Sequence, residues 1–336
     1  MEKPRLFISR ELFPEVIEEL KKFYEVEVWD KYHGPSYEYL VEKLRSVDAY
    51  VSMVTDRIDC GLLQMAGRLR IIAQYGVGLD NIDVVCATRL GIYVTNTPNV
   101  LAESVAELTW SLILAVSRRI VEADHFVRWG EWYRTRTSVH PLMMLGTELK
   151  GKTLGIIGLG SVGRRVAEIG KAFGMRVIYY SRNRKPDVES SLGIEYRSFD
   201  DVVSEADVLT IHISLTPETR HLINEDTLRR MRKNAILINT SRGPVVDTDA
   251  LIKALREGWI AGAGLDVFEN EPLQPNHPLT AFKNVVLLPH LGSATHEARL
   301  AMARLVAENL IAFYKGQVPP TLVNSEVVKH RRPGFD

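Results

Sequence analysis

Thr153-Leu-Gly-Ile-Ile-Gly-Leu-Gly-Ser-Val-Gly163 is the stretch that decides the fold. Thr153 to Ile157 is a short apolar run of strand type. Gly158-Leu159-Gly160-Ser161-Val162-Gly163 then matches G-x-G-x-x-G, and Val162, Val166, Ile169 and Phe173 follow at the spacing of one helical face. A glycine-rich turn alone is common. Between a strand and a helix it has a specific chemistry: with no Cβ at Gly158 and Gly160 the backbone can approach a pyrophosphate, whose charge then sits at a helix N-terminus.

Working outward from this turn, strand-like runs recur at residues 176–180, 208–213, 235–239, 263–267 and 285–288, separated by segments of helical period. That is a doubly wound set around a parallel sheet. A second alternating series fills the N-terminal hundred residues, with strand-like runs at 6–8, 26–29, 49–51, 70–75 and 92–95. Its last strands lack a helix to cover them unless the late helix carrying Ala298, Met302, Leu305, Val306, Leu310 and Phe313 returns. A discontinuous domain is therefore expected: residues 1–100 plus 293–336 in one α/β domain, and residues 101–292 in the other. Leu101, Val105, Leu108, Trp110, Leu112, Ile113, Leu114 and Val116 cover nearly every face of a helix, so residues 101–116 must lie in a deep core or a subunit interface.

The 336 residues carry 42 Lys+Arg against 42 Asp+Glu, so no global field exists to hold a nucleic-acid backbone or an anionic membrane. Cys60 and Cys86 are too far apart in sequence for a C-x-x-C pair. A disulfide-framed secreted scaffold is not expected, and a reducing cytoplasm fits best. No apolar run approaches the ~18 residues of a membrane span, so the chain reads as neither exported nor embedded. The remaining histidines, among them His212 and His221, form no H-x-x-x-H or Cys/His pairing, and no metal is expected. The last segment, with His330-Arg331-Arg332-Pro333, reads as a solvated tail.

At the end of the second strand after the glycine turn, an NAD site places an acid against the ribose 2′-hydroxyl. Here the strand runs into Ser181-Arg182-Asn183-Arg184, with no acid. Guanidinium groups bind a 2′-phosphate that a carboxylate would repel, so NADP(H) is preferred and NAD(H) remains possible. Three further polar features follow strands, where open α/β sheets place ligands: Thr240-Ser241-Arg242-Gly243, Asp266-Val-Phe-Glu-Asn-Glu271-Pro272 and Pro289-His290-Leu291-Gly292. Arginine, glutamate and histidine together suit carbonyl reduction.

With Tyr75-Gly-Val-Gly-Leu-Asp-Asn-Ile-Asp83, Asn239-Thr-Ser-Arg-Gly-Pro-Val-Val-Asp247, Gly262-Ala-Gly-Leu-Asp-Val-Phe268 and His290-Leu-Gly-Ser293 in this order, the chain resembles the D-isomer-specific 2-hydroxyacid dehydrogenases, most of all the glyoxylate/hydroxypyruvate reductase branch found in archaea. The resemblance implies a Rossmann NAD(P)-binding domain inserted into a flavodoxin-like substrate domain. It implies Arg242, Glu271 and His290 as catalytic trio, with His290 giving a proton to the carbonyl oxygen, Glu271 favouring the protonated imidazole, and Arg242 holding the substrate carboxylate. Cofactor contacts are expected from Gly158, Leu159, Gly160, Ser161, Val162, Gly163, Ser181, Arg182, Asn183, Arg184, Thr240, Ser241, Arg242, Asp266, His290, Leu291 and Gly292. Substrate contacts are expected from Val77, Gly78, Arg242 and His290, where the amides of Val77 and Gly78 form an anion-binding nest.

The same resemblance implies a small 2-oxo acid substrate and a homodimer formed through residues 101–116. A D-lactate dehydrogenase-like or broader 2-ketoacid reductase is the alternative reading, and a nucleotide-sensing binding protein of the same fold is a remote one. Relatives that reduce glyoxylate tend to carry tryptophan in the stretch matching residues 139–145. This chain has none, and its methionines there allow a more adaptable wall.

Overall fold

The computed structural model describes residues 2–136 and 138–335. The chain divides into two compact units, Met1–Leu101 with Thr295–Asp336, and Ala102–Ala294.

The larger unit is built on a seven-stranded parallel sheet: β6 (Thr153–Ile157), β7 (Arg176–Tyr180), β8 (Glu195–Tyr196), β9 (Val208–Ile211), β10 (Ile236–Asn239), β11 (Gly262–Leu265) and β12 (Val285–Leu287), in the order β12-β11-β10-β9-β6-β7-β8. The chain winds outward from β6 to β8, then returns to β9 and winds the other way, so strand order reverses between β6 and β9. Such a switch point opens a crevice at the carboxyl ends of the strands. All five residues of β6 are buried, as a central strand covered on both faces requires. Helices pack on each face because their small residues allow it: a Cβ at Gly170 would meet Leu154 Cδ2 at 2.6 Å.

The Ala102–Ser117 helix packs one side into the core of this unit. Val105, Ala106, Thr109, Trp110, Leu112 and Ile113 are buried within this unit. Trp110 donates its indole N–H to the Val166 carbonyl at 3.2 Å and stacks on Phe173 at 4.6 Å. On this side it is a core helix, while Leu108, Leu114 and Val116 are only partly buried within the single chain. Large exposed apolar side chains follow it: Ile120, Val127, Trp129, Tyr133, Leu142 and Leu145.

The smaller unit carries a five-stranded parallel sheet of β1 (Arg5–Ile8), β2 (Glu25–Val28), β3 (Ala49–Met53), β4 (Ile71–Tyr75) and β5 (Tyr93–Thr95), ordered β2-β1-β3-β4-β5. The His296–Tyr314 helix covers one face, where Ala303, Val306, Ala307, Leu310 and Phe313 pack with Leu6, Ile8, Val51, Ile71 and Tyr93. Burying a side chain such as Phe313 contributes roughly 1.5–3 kcal/mol.

One feature of this unit was not expected, and one expectation fails. Cys60 and Cys86 are joined in a disulfide, with Cα atoms 5.5 Å apart. Separation along the chain did not bound their separation in space, because a parallel bridge between Ile58 and Ile82 brings the starts of the Cys60–Met65 and Val84–Arg89 helices together. The C-terminal segment is also not solvated throughout. Asn324 accepts from the Val94 amide and donates to the Ile92 carbonyl, Tyr93 donates its hydroxyl to Arg331 O at 2.6 Å, and Phe335 meets Phe313 edge-on at 5.1 Å. Among the described residues no helix is long and apolar enough to cross a membrane.

Candidate active site

The glycine turn lies at the switch point between β6 and β9. Gly158 has φ 97°, and a Cβ there would stand 2.4 Å from the His212 carbonyl oxygen. Gly163 has no more room, since its Cβ would meet the Gly158 carbonyl at 2.1 Å. At Gly160, by contrast, nothing lies within 4 Å. Gly160 caps the Ser161–Ala172 helix with no side-chain hydrogen bond, so the first amides of the helix face open space and suit an anion. His212 adds a polar group at the same point: its Nε2 is buried without a partner, and burial pushes its pKa down to about 3, so the ring is neutral. Open space above the middle glycine, uncapped amides and an orphaned ring nitrogen all fit a dinucleotide. Ser161 and Val162 open the helix, while buried Leu159 donates its amide to Ser181 Oγ at 2.7 Å.

At the end of β7 the two arginines differ. Arg184 pairs with Glu189 at 2.7 Å and lies over the Tyr196 ring, so its guanidinium is engaged by the protein itself. Arg182 is exposed beside exposed Asn183 and forms no ion pair among the described residues; the Thr216 side chain and, to a smaller extent, the charge of Arg182 lower the pKa of Glu218.

The second cluster stands on the carboxyl ends of β10, β11 and β12. Buried Asn239 folds the first loop: its Oδ1 accepts from both the amide and hydroxyl of Ser241, and its Nδ2 donates to the Arg242 carbonyl at 2.9 Å. Thr240 is tied to Thr109 at 2.9 Å. Gly243 admits no side chain, because a Cβ would stand 1.9 Å from the Phe268 carbonyl.

Asp266, almost fully buried, takes the amides of Leu291 at 2.7 Å and Gly292 at 2.8 Å, and its own carbonyl accepts the His290 amide at 2.9 Å. Burial raises its pKa above the usual range against the pull of those amides. The three amides together hold His290 at φ 57°, a left-handed conformation rare outside glycine. Ser104 completes this loop by donating to Gly292 O at 2.8 Å.

Nδ1 of His290 lies 2.7 Å from Glu271 Oε2, while Glu271 Oε1 accepts the Phe268 amide at 2.9 Å. Burial would raise the Glu271 pKa. The hydrogen bond and charge of His290, the Phe268 amide and the charge of Arg242 outweigh it, and the carboxyl is held below its ordinary value. Arginine, glutamate and histidine thus share one electrostatic site.

In the smaller unit, the carbonyl of Val77 accepts from Asn96 Nδ2 at 2.9 Å and that of Gly78 from Gln74 Nε2 at 3.1 Å. Their amides have no hydrogen-bond partner among the described residues.

Residues 110–292 match the model of the D-isomer specific 2-hydroxyacid dehydrogenase, NAD binding domain. Over the full length of both chains, the protein is 67% identical to a glyoxylate reductase of Aeropyrum pernix. The chain belongs to the D-isomer specific 2-hydroxyacid dehydrogenase family.

Solved structures agree with this membership. The TT0316 protein from Thermus thermophilus superposes with a TM-score of 0.88 at 42% identity, covering 95% of this chain and 99% of that one. The NADPH-dependent glyoxylate/hydroxypyruvate reductase from Sinorhizobium meliloti, in complex with NADP and malonate, has a TM-score of 0.85 at 34% identity, with 97% and 98% covered. As a 2-hydroxyacid dehydrogenase the protein has an NAD(P)-binding domain, and a small 2-oxo acid, ionised at its carboxylate, is the kind of substrate its histidine, glutamate and arginine can serve. Ser104, Thr109 and His212 were not marked by any motif, and Asn239, although it opens one, was given no role. Each acts through burial or a single hydrogen bond, and neither leaves a sequence signature beyond a polar residue at a strand end or on a helix.

Proposed function

We propose that this 2-hydroxyacid dehydrogenase reduces glyoxylate, and with it hydroxypyruvate, using NADPH. The observation that carries the reading is the His290–Glu271 hydrogen bond beside Arg242, set on the carboxyl ends of three parallel strands next to the glycine turn. The 67% identical relative named a glyoxylate reductase supports the substrate.

When bound, the nicotinamide supplies the two electrons and the hydrogen that reduce the 2-oxo carbon. Glu271 holds Nδ1 of His290, which leaves Nε2 to deliver a proton to the carbonyl oxygen as negative charge develops there. Arg242 stabilises that charge and binds the carboxylate through its planar fork. Val77 and Gly78 offer amides of the type a carboxylate needs. Gly158, Gly160 and Gly163 shape the pyrophosphate cradle, Asp266 with Leu291 and Gly292 fixes the nicotinamide side, and Arg182 takes the 2′-phosphate. Arg184 is not its partner in that role, since Glu189 holds it.

The protein works as a homodimer. The exposed apolar side chains of Trp129, Tyr133, Leu142 and Leu145 supply the surface, and sedimentation equilibrium at micromolar concentration should give twice the chain mass. Initial rates with NADPH and NADH, each against glyoxylate, hydroxypyruvate, pyruvate and a bulky 2-oxo acid, test the substrate and cofactor together. Highest kcat/KM for glyoxylate or hydroxypyruvate with NADPH is expected; a clear preference for pyruvate or for NADH contradicts the reading.

A further inference from the structure

A second histidine–carboxylate pair lies outside the reacting groups. Nε2 of His221 donates to Glu269 Oε2 at 2.9 Å, and the other oxygen of Glu269 accepts the Thr248 amide at 2.8 Å. These residues come from three segments: the chain leaving β9, the start of the Thr248–Glu257 helix, and the loop after β11 that carries Glu271.

The backbone repeats the connection. His221 N donates to Pro244 O at 2.8 Å, Ile223 N to Val245 O at 3.1 Å, and Asp247 N to Ile223 O at 2.9 Å. The 221–223 segment is thus stitched along the chain that directly follows Arg242. Glu269 then fastens that stitched pair to the loop two residues before Glu271. Gly243 explains why the fastening matters: its contact with the Phe268 carbonyl leaves the Arg242 and Glu271 loops in backbone contact, so a small shift of one displaces the other. His221 is also held at φ 52°. A left-handed histidine costs about 1 kcal/mol or more and persists where its surroundings fix it.

We infer that His221 and Glu269 are positioning residues that clasp the Arg242 loop to the Glu271 loop and so set Arg242 against the Glu271–His290 pair. The inference rests on the proposed roles of those three residues. Neither His221 nor Glu269 takes part in the proton transfer. Their effect is on the geometry of the groups that do, where misplacement by about 1 Å can lower a rate by roughly a hundredfold.

The test uses the full-length enzyme with NADPH and glyoxylate, in four forms: wild type, His221→Leu, His221→Gln and Glu269→Ala. Loss of the clasp should lower kcat by about tenfold in His221→Leu and Glu269→Ala while the Kd for NADPH, read by nucleotide fluorescence, stays within about twofold. His221→Gln retains an N–H donor for Glu269 and should recover most of kcat. Glu269→Ala also removes the acceptor of the Thr248 amide, so His221→Leu, which leaves that bond in place, is the deciding variant. Unchanged kcat in His221→Leu beside an active wild type overturns the inference alone. So does a loss that His221→Gln does not recover, because packing rather than the hydrogen bond then accounts for it. A wild type inactive on every 2-oxo acid overturns the proposed function, and the inference with it.

Discussion

Glu271 Oε2 lies 2.7 Å from Nδ1 of His290, and the opposite oxygen of the same carboxylate holds the Phe268 amide. The glutamate is thereby anchored at both ends. An imidazole bound through Nδ1 has one orientation and one free nitrogen, the arrangement a proton donor needs.

The Glu271 carboxyl is depressed in the folded protein, because His290, the Phe268 amide and Arg242 outweigh the cost of its burial. A depressed acid contributes stability that is present above its unfolded pKa of about 4.3 and is lost as pH falls through the lower folded value. Wild type should therefore resist guanidinium better than Glu271→Gln at pH 7, with the difference shrinking as pH falls below about 4. A difference that stays constant down to pH of about 3 contradicts this assignment of the shift.

Arg182 and Arg184 should separate in their effect on cofactor choice. Arg182→Ala is expected to lower kcat/KM for NADPH by roughly tenfold, the loss of one charge-assisted contact, and to leave NADH nearly unchanged. Arg184→Ala breaks the Glu189 pair instead and should not shift the NADPH/NADH ratio. Equal effects of the two variants on that ratio argue against Arg182 as the phosphate ligand.

Gly163→Ala forces a Cβ to within 2.1 Å of the Gly158 carbonyl, so the helix and the turn must part. Overpacking of this kind costs about 1–3 kcal/mol and here also moves the amides of the cradle. Weaker NADPH binding with a lower Tm is the expected result of calorimetry on the variant. Gly160→Ala has room in the free protein and should keep its Tm while losing NADPH affinity.

The Cys60–Cys86 bond closes a loop of 26 residues that contains β4 and the turn with Val77 and Gly78. Such a cross-link stabilises by about 2–4 kcal/mol in the chain-entropy picture. Cys60→Ser or full reduction should lower the denaturation midpoint accordingly. An unchanged midpoint shows that the bond adds nothing to folding stability.

Much of the fold was legible because its signals are local. Strands such as Thr153–Ile157 are continuous apolar runs, and G-x-G-x-x-G works through backbone contacts that only glycine allows. The three polar segments that carry Arg242, Glu271 and His290 stood out because each follows a strand, where a parallel sheet exposes its carboxyl ends, and the family resemblance singled out the trio within them. Less was legible where two distant residues decide the outcome. Nothing near Cys60 announces Cys86, and nothing near His221 points to Glu269. The all-round apolar helix is a different case: burial by its own unit and burial by a partner demand the same composition, so only the packing shows that Trp110 and Ile113 lie in the core of their own unit.

The central claim is that His290 delivers the proton in a reduction driven by NADPH, and one measurement bears on it most directly: kcat/KM for glyoxylate with NADPH in wild type and His290→Ala. Active wild type with a loss of roughly a hundredfold or more in the variant is the expected result. Near wild-type turnover by His290→Ala would contradict it.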